Sequence, residues 1–344
     1  MNGNSHPGRN ARAPSDWLGW FVEATVAVAA VELIVLRLFT RTIVHIPGAG
    51  EISPFLSTVS SAGRFSYYLA SVLLTVTLFL LIGALSRASG HAAGAAAVAV
   101  FVALATLARA GIVGDLSLAL LVCGCVFALA VVAAHARRGW ARLPVLLFAV
   151  GFLLSGLYAA LQSPVAAELY STRTPTLLLF GGETLALSAA LASPLLLARR
   201  PARSTIAVGA GVAVLCSAAL VANPSTTKIL LLWNFGLAGY FPSIVYGAAL
   251  GAITITVIGL ARQAKVDTAI AVALVAMGGI GLHSTYQSAL VVAGLGLLAL
   301  TGRTSASCRA LSPSIAPRAR STTKTRSAAA AGDQRAAPQT ELLR

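Results

Sequence analysis

The chain has 344 residues, of which 57% are hydrophobic and only 10% charged, and a formal net charge of +15. That leaves too little polar surface to cover a water-soluble globule of this size, so the lipid bilayer is the predicted solvent. Nor is the positive charge a nucleic-acid footprint, which needs basic residues gathered on one folded surface or reading helix; here Lys and Arg fall mainly between apolar runs and in a tail.

Residues 1–19 are read as a disordered cytoplasmic N-terminus, with Trp17 and Trp20 marking the inner interface. The first apolar run is followed by Glu32 and Arg37 rather than by the small residues of a cleavage site, so it is expected to remain as a span. A helix needs about 20 mostly apolar residues to cross the hydrocarbon. Candidate spans fall at residues 20–39, 67–85, 92–109, 116–134, 143–161, 176–198, 205–222, 228–261, 267–282 and 287–301. The predicted fold is all-α, a polytopic transmembrane helix bundle of about ten spans over residues 20–301, followed by a disordered basic tail at 302–344.

Placing both termini in the cytoplasm puts 19 of the 25 Lys and Arg residues on that side, including the Arg137/Arg138/Arg142 and Arg199/Arg200/Arg203 groups. This asymmetry is what the positive-inside rule requires, and it predicts a multi-pass protein of the inner, cytoplasmic membrane. Residues 228–261 are too many for one straight crossing and too few for two. A single crossing preceded by a half-helix or re-entrant piece keeps Arg262, Lys265 and the tail inside, with Gly236, Gly239 and Pro242 supplying the break. The stretch around Asn234 then becomes a candidate cavity wall, because broken backbone at membrane depth must line protein or water.

The predicted outer face carries most of the chemically equipped residues. The loop from Thr40 to Ser66 holds Arg41, His45, Glu51 and Arg64, the loop from Gln162 to Pro175 holds Glu168, Tyr170 and Arg173, and the last hairpin holds His283, Tyr286 and Gln287. Arg37, Arg41 and His45 are spaced i, i+4, i+8 and form one stripe if the first helix runs on to Ile46. Such a stripe either snorkels and caps the helix end or grips an anion, a lipid headgroup or a small anionic substrate, through bidentate guanidinium contacts.

Glu32 and Glu183 are the most informative single residues, because a carboxylate within the hydrocarbon costs about 2.5–3.5 kcal/mol even on a lenient insertion scale. Each is expected to face protein or water. Both fall in the outer halves of their spans, which allows a shared polar cavity with Asn234 as a third member; hydrogen bonding within the packing is the alternative.

No metal or cofactor is predicted. His45 and His283 come from separate loops without HxxxH, HxxE or CxxC spacing, and a site needs three or four ligands. Cys123, Cys125 and Cys216 lie within spans and read as small apolar residues. No Walker, Rossmann or GxSxG motif is present. Two functional classes follow: a carrier for a small or amphipathic solute with a polar cavity lined by Glu32, Glu183 and Asn234, or an outer-face enzyme or lipid-handling protein using Arg41, His45, Glu51, Glu168 and His283. An accessory or assembly subunit without chemistry of its own is the third reading.

Overall fold

The computed structural model describes residues 15–33, 53–112, 115–161, 173–222, 240–279 and 284–311. Among these the chain forms ten α-helices and no strand: α1 (Ser15–Glu32), α2 (Ser53–Arg87), α3 (Ala92–Arg109), α4 (Asp115–His135), α5 (Leu143–Leu161), α6 (Arg173–Ala192), α7 (Arg203–Ala222), α8 (Tyr240–Arg262), α9 (Val266–Gly278) and α10 (Thr285–Leu311). Helix is the state in which an apolar segment satisfies its own backbone without water. Eight of the ten are long and apolar enough to cross a membrane, which marks an integral, multi-pass membrane protein. The other two are α1, whose 18 residues include Asp16, Glu23 and Glu32, and α9, with 13 residues.

Three elements differ from the sequence expectation. The expected external loop 40–66 is helical from Ser53 onward, so α2 has 35 residues and is about 52 Å long at 1.5 Å per residue. Its extra turns are rich in Ser, and the hydroxyls of Ser57, Ser61 and Ser66 donate to the carbonyls of Pro54, Ser57 and Ala62 at 2.8–2.9 Å. Bonds of that kind satisfy the hydroxyls within the helix without adding to its stability. Residues 240–262 form one unbroken helix with Pro242 in its first turn, where a missing N–H costs nothing; Asn234, Gly236 and Gly239 lie outside the described residues. Finally, α10 continues to Leu311, beyond the expected end of the last span at 301. Its start carries an N-cap: the Ser284 hydroxyl accepts from the Gln287 backbone N–H at 3.2 Å.

The short connections after α2, α4, α6 and α8 gather their basic residues at one pole. There Arg262 Nη1 donates to the hydroxyls of Ser204 (2.7 Å) and Thr205 (2.9 Å), and Gln263 Nε2 donates to the Arg199 carbonyl at 3.1 Å. The turn Gly139–Arg142 packs on the turn Ser193–Leu196.

Pairwise packing closes six helices into a ring, α4 on α5, α5 on α6, α6 on α8, α8 on α9, α9 on α10 and α10 back on α4. Helices α2 and α3 pack on α10 from outside, α1 packs on α2 and α9, and α7 is held by α8. Accordingly 78% of the α10 span is buried, against 17% for α7. Small residues permit the close approaches, as helix association in lipid requires. A Cβ at Gly278 would lie 2.7 Å from the Gln287 carbonyl oxygen, and one at Gly294 would lie 2.7 Å from that of Ala271.

Candidate functional site

Inside the ring is a cleft of about 70 Å³. Its wall includes Phe148 of α5, Ala186 and Ala190 of α6, Ile253 of α8, Val272 of α9 and Leu295 of α10. Pro144, at the start of α5, and Leu196, in the turn after α6, also line it, so the cleft lies toward the basic pole. Ser193 is its one hydroxyl-bearing lining residue. The Ser193 and Thr256 hydroxyls are 2.8 Å apart. Thr256 gives its proton to the Ala252 carbonyl at 2.8 Å, so Ser193 is the donor between the two hydroxyls.

Farther from the basic pole the same helix faces turn polar. Ser155 is seven residues on from Phe148, Glu183 three before Ala186, and Tyr246 seven before Ile253; at those spacings each shares a face with a cleft-lining residue. Glu183 is 1% exposed, Ser155 3% and Tyr246 fully buried. Glu183 lies close enough to Tyr246 for the two to interact electrostatically. Glu183 Oε2 and Ser155 Oγ make no hydrogen bond among the described residues. Buried polar atoms left in that state are costly, about 1–3 kcal/mol each, and mark a place for water or a ligand.

The local sequence explains how α5 and α6 bring these groups together. A Cβ on Gly151 would sit 2.7 Å from the Gly182 carbonyl oxygen, so only glycine allows the two backbones to touch here. Ser155 comes to lie beside Gly182, next to the carboxyl-bearing residue.

The expected site residues are distributed as follows. Glu32 is buried, at 2% exposure, and is engaged with a neighbour; its helix packs on α2 and α9, whereas that of Glu183 packs on α5 and α8. No substantial α1–α6 packing exists among the described residues. Neither Glu32 nor Glu183 is in the cleft lining, which is apolar and near the basic pole rather than polar and at the opposite end. Arg37, Arg41, His45, Glu51, Glu168, Asn234 and His283 lie outside the described residues. Arg64 sits on helix α2 rather than in a loop. Tyr286 and Gln287 are buried.

Sequence reasoning missed Ser155 and Tyr246, whose participation depends on which helices become neighbours. It also missed a clamp on α10 at the basic pole. The buried His91 ring places Nε2 3.1 Å from the Ala299 carbonyl and Nδ1 3.2 Å from that of Ser89, and Arg137 Nη2 donates to the Leu298 carbonyl at 3.2 Å. Burial pushes the Arg137 guanidinium down to about 10, because desolvation penalises the charged form.

Among the described residues no group of three or more His, Cys, Asp or Glu is placed to hold a metal ion. Cys123, Cys125 and Cys216 are free thiols. Compared with family models, with curated proteins and with solved structures, the chain has no significant match.

Proposed function

We propose that this membrane protein is a carrier for a small or amphipathic solute, with the ring cleft as its cytoplasmic compartment and Glu183 as the protonatable group at the closed end. The observation that carries this reading is the Glu183 carboxyl, 1% exposed and with one oxygen unpartnered among the described residues. A group so expensive at membrane depth is by default a functional one. The hydrophobic cleft lies on the same helix faces, toward the basic pole. Under this reading the basic pole faces the cytoplasm, both termini are cytoplasmic and the protein resides in the inner membrane. A ring of helices around an axial cleft suits alternating access, in which one group of helices rocks against another about a fixed site.

Cysteine accessibility tests this without knowledge of the solute. In a chain whose native cysteines are replaced by serine, Ala190→Cys is expected to react with an impermeant maleimide from the cytoplasmic side. Ser155→Cys is expected to react from the external side, and cross-linking that closes one side should suppress labelling from it. A Ser155→Cys thiol that stays unreactive from both sides, in the wild-type and Glu183→Gln backgrounds alike, would refute the carrier reading.

A further inference from the structure

The mouth of the cleft is rich in arginine, with the exposed acid Asp267 at the start of α9 at the same pole. The turn after α4 (residues 136–142) carries Arg137, Arg138 and Arg142, and the turn after α6 (residues 193–202) carries Arg199 and Arg200, with no acid in either. The two turns touch each other. Arg142 is two residues from Pro144 and Arg199 three from Leu196, both of which line the cleft. Arg142, Arg199 and Arg200 are exposed and Arg138 is half-buried. Arg142 uses Nε on the Arg137 carbonyl at 2.7 Å, an arrangement that leaves the outer edge of its guanidinium directed to other partners.

These features select a ligand class. Clustered guanidinium groups repel cations and attract anions over about a Debye length. The walls beyond them are aliphatic and aromatic apart from Ser193, whose proton goes to Thr256. A sugar or an inorganic ion would lose its hydration there without replacement bonds, whereas an apolar body gains about 25 cal/mol per Å² buried. The cleft faces then lead to Glu183 and Ser155, each with an unpartnered oxygen among the described residues.

We propose that the occupant of the cleft is a small hydrophobic carboxylate, drawn in by the arginine rim, seated on the apolar wall and directed toward Glu183. This assignment rests on the carrier reading and names its solute class. Two carboxyl groups brought close in a dry site cannot both stay ionised. The solute carboxylate and the Glu183 carboxyl therefore share one proton taken from solution, and movement of one solute anion is accompanied by one proton.

Benzoate serves as probe, with benzamide as its neutral counterpart and benzylamine as its cationic one. Purified full-length protein in detergent at low salt is expected to bind benzoate more tightly than either. The exposed-site double variant Arg142→Gln/Arg199→Gln should lose about fivefold in benzoate affinity, since each exposed charge contact is worth well under a factor of ten, with benzamide unaffected. Ala189→Trp, which fills the lined space, should abolish binding of both; the arginine variant keeps the test decisive if that protein does not fold. Benzoate binding no tighter than benzamide, or unchanged in the arginine double variant, overturns the assignment. Proteoliposome uptake separates the two readings. Benzylamine moved in place of benzoate removes the anion assignment and leaves the carrier, while benzoate bound with the predicted arginine dependence but never moved upholds the binding site and removes the carrier.

Discussion

Ser155 of α5 holds its hydroxyl in the space that a side chain on Gly182 of α6 would occupy. The same imaginary Cβ would also lie 2.8 Å from the Gly151 carbonyl oxygen and 3.0 Å from the Ser155 backbone nitrogen. Hydroxyls rotate, but backbone does not yield. Gly182→Ala is therefore expected to destabilise the protein by about 1–3 kcal/mol, the usual cost of overpacking, read as a lower melting temperature in detergent. Adding Ser155→Ala should restore only part of the loss, because the backbone contacts remain; full restoration would show that the hydroxyl alone sets the helix spacing.

The clamp on α10 gives a second prediction. His91→Ala removes the donor facing the Ala299 carbonyl and is expected to cost about 1–2 kcal/mol, with hydrogen exchange accelerating first in the turn of α10 around Ala299. His91→Gln retains an amide donor and should recover much of that protection. Equal exchange in the two variants would mean the ring serves by volume rather than by hydrogen bonding.

Ser193 and Thr256 should be coupled only weakly. Thr256 keeps its bond to the Ala252 carbonyl when Ser193 becomes Ala, so no buried hydroxyl proton is stranded. A double-mutant cycle over Ser193→Ala and Thr256→Ala is expected to give about 0.5–1 kcal/mol of interaction. A value several times larger would point to a hydroxyl network extending past this pair.

Topology is open to direct labelling. Ser57, exposed on the far part of α2, and Ser204, exposed at the basic pole beside Arg262, should lie on opposite sides of the membrane. An impermeant thiol reagent applied to intact cells is expected to modify Ser57→Cys and spare Ser204→Cys. The reverse pattern would turn the molecule over and make the cleft open outward.

Apolar run length and charge asymmetry made the helices readable from the chain itself. From α3 to α7 the observed helices begin and end within a few residues of the expected spans, because water, lipid and backbone hydrogen bonding impose the same boundary on each. The start of α2 was not readable: its Ser-rich first turns look like a loop by hydropathy, although their hydroxyls find acceptors within the helix, as Ser61 does at the Ser57 carbonyl. Glu183 was legible as an anomaly, a charge where lipid penalises one. Its setting was not. Nothing in the order of residues shows that α6 sits between α5 and α8, so Ser155 and Tyr246 become its neighbours only once the ring closes. The apolar cleft escaped notice for a related reason, since Ala186 and Ile253 look like every other Ala and Ile until packing leaves space between them.

Among the described helices the most enclosed, α10, follows the other nine in the chain. The helices between which it fits, α2, α4 and α9, are therefore made before it, α9 only just ahead. The ring can close only once α10 has joined the five ring helices made before it. A premature stop after α9 would yield a product with every earlier helix intact and no way to close, a natural target for membrane quality-control proteases.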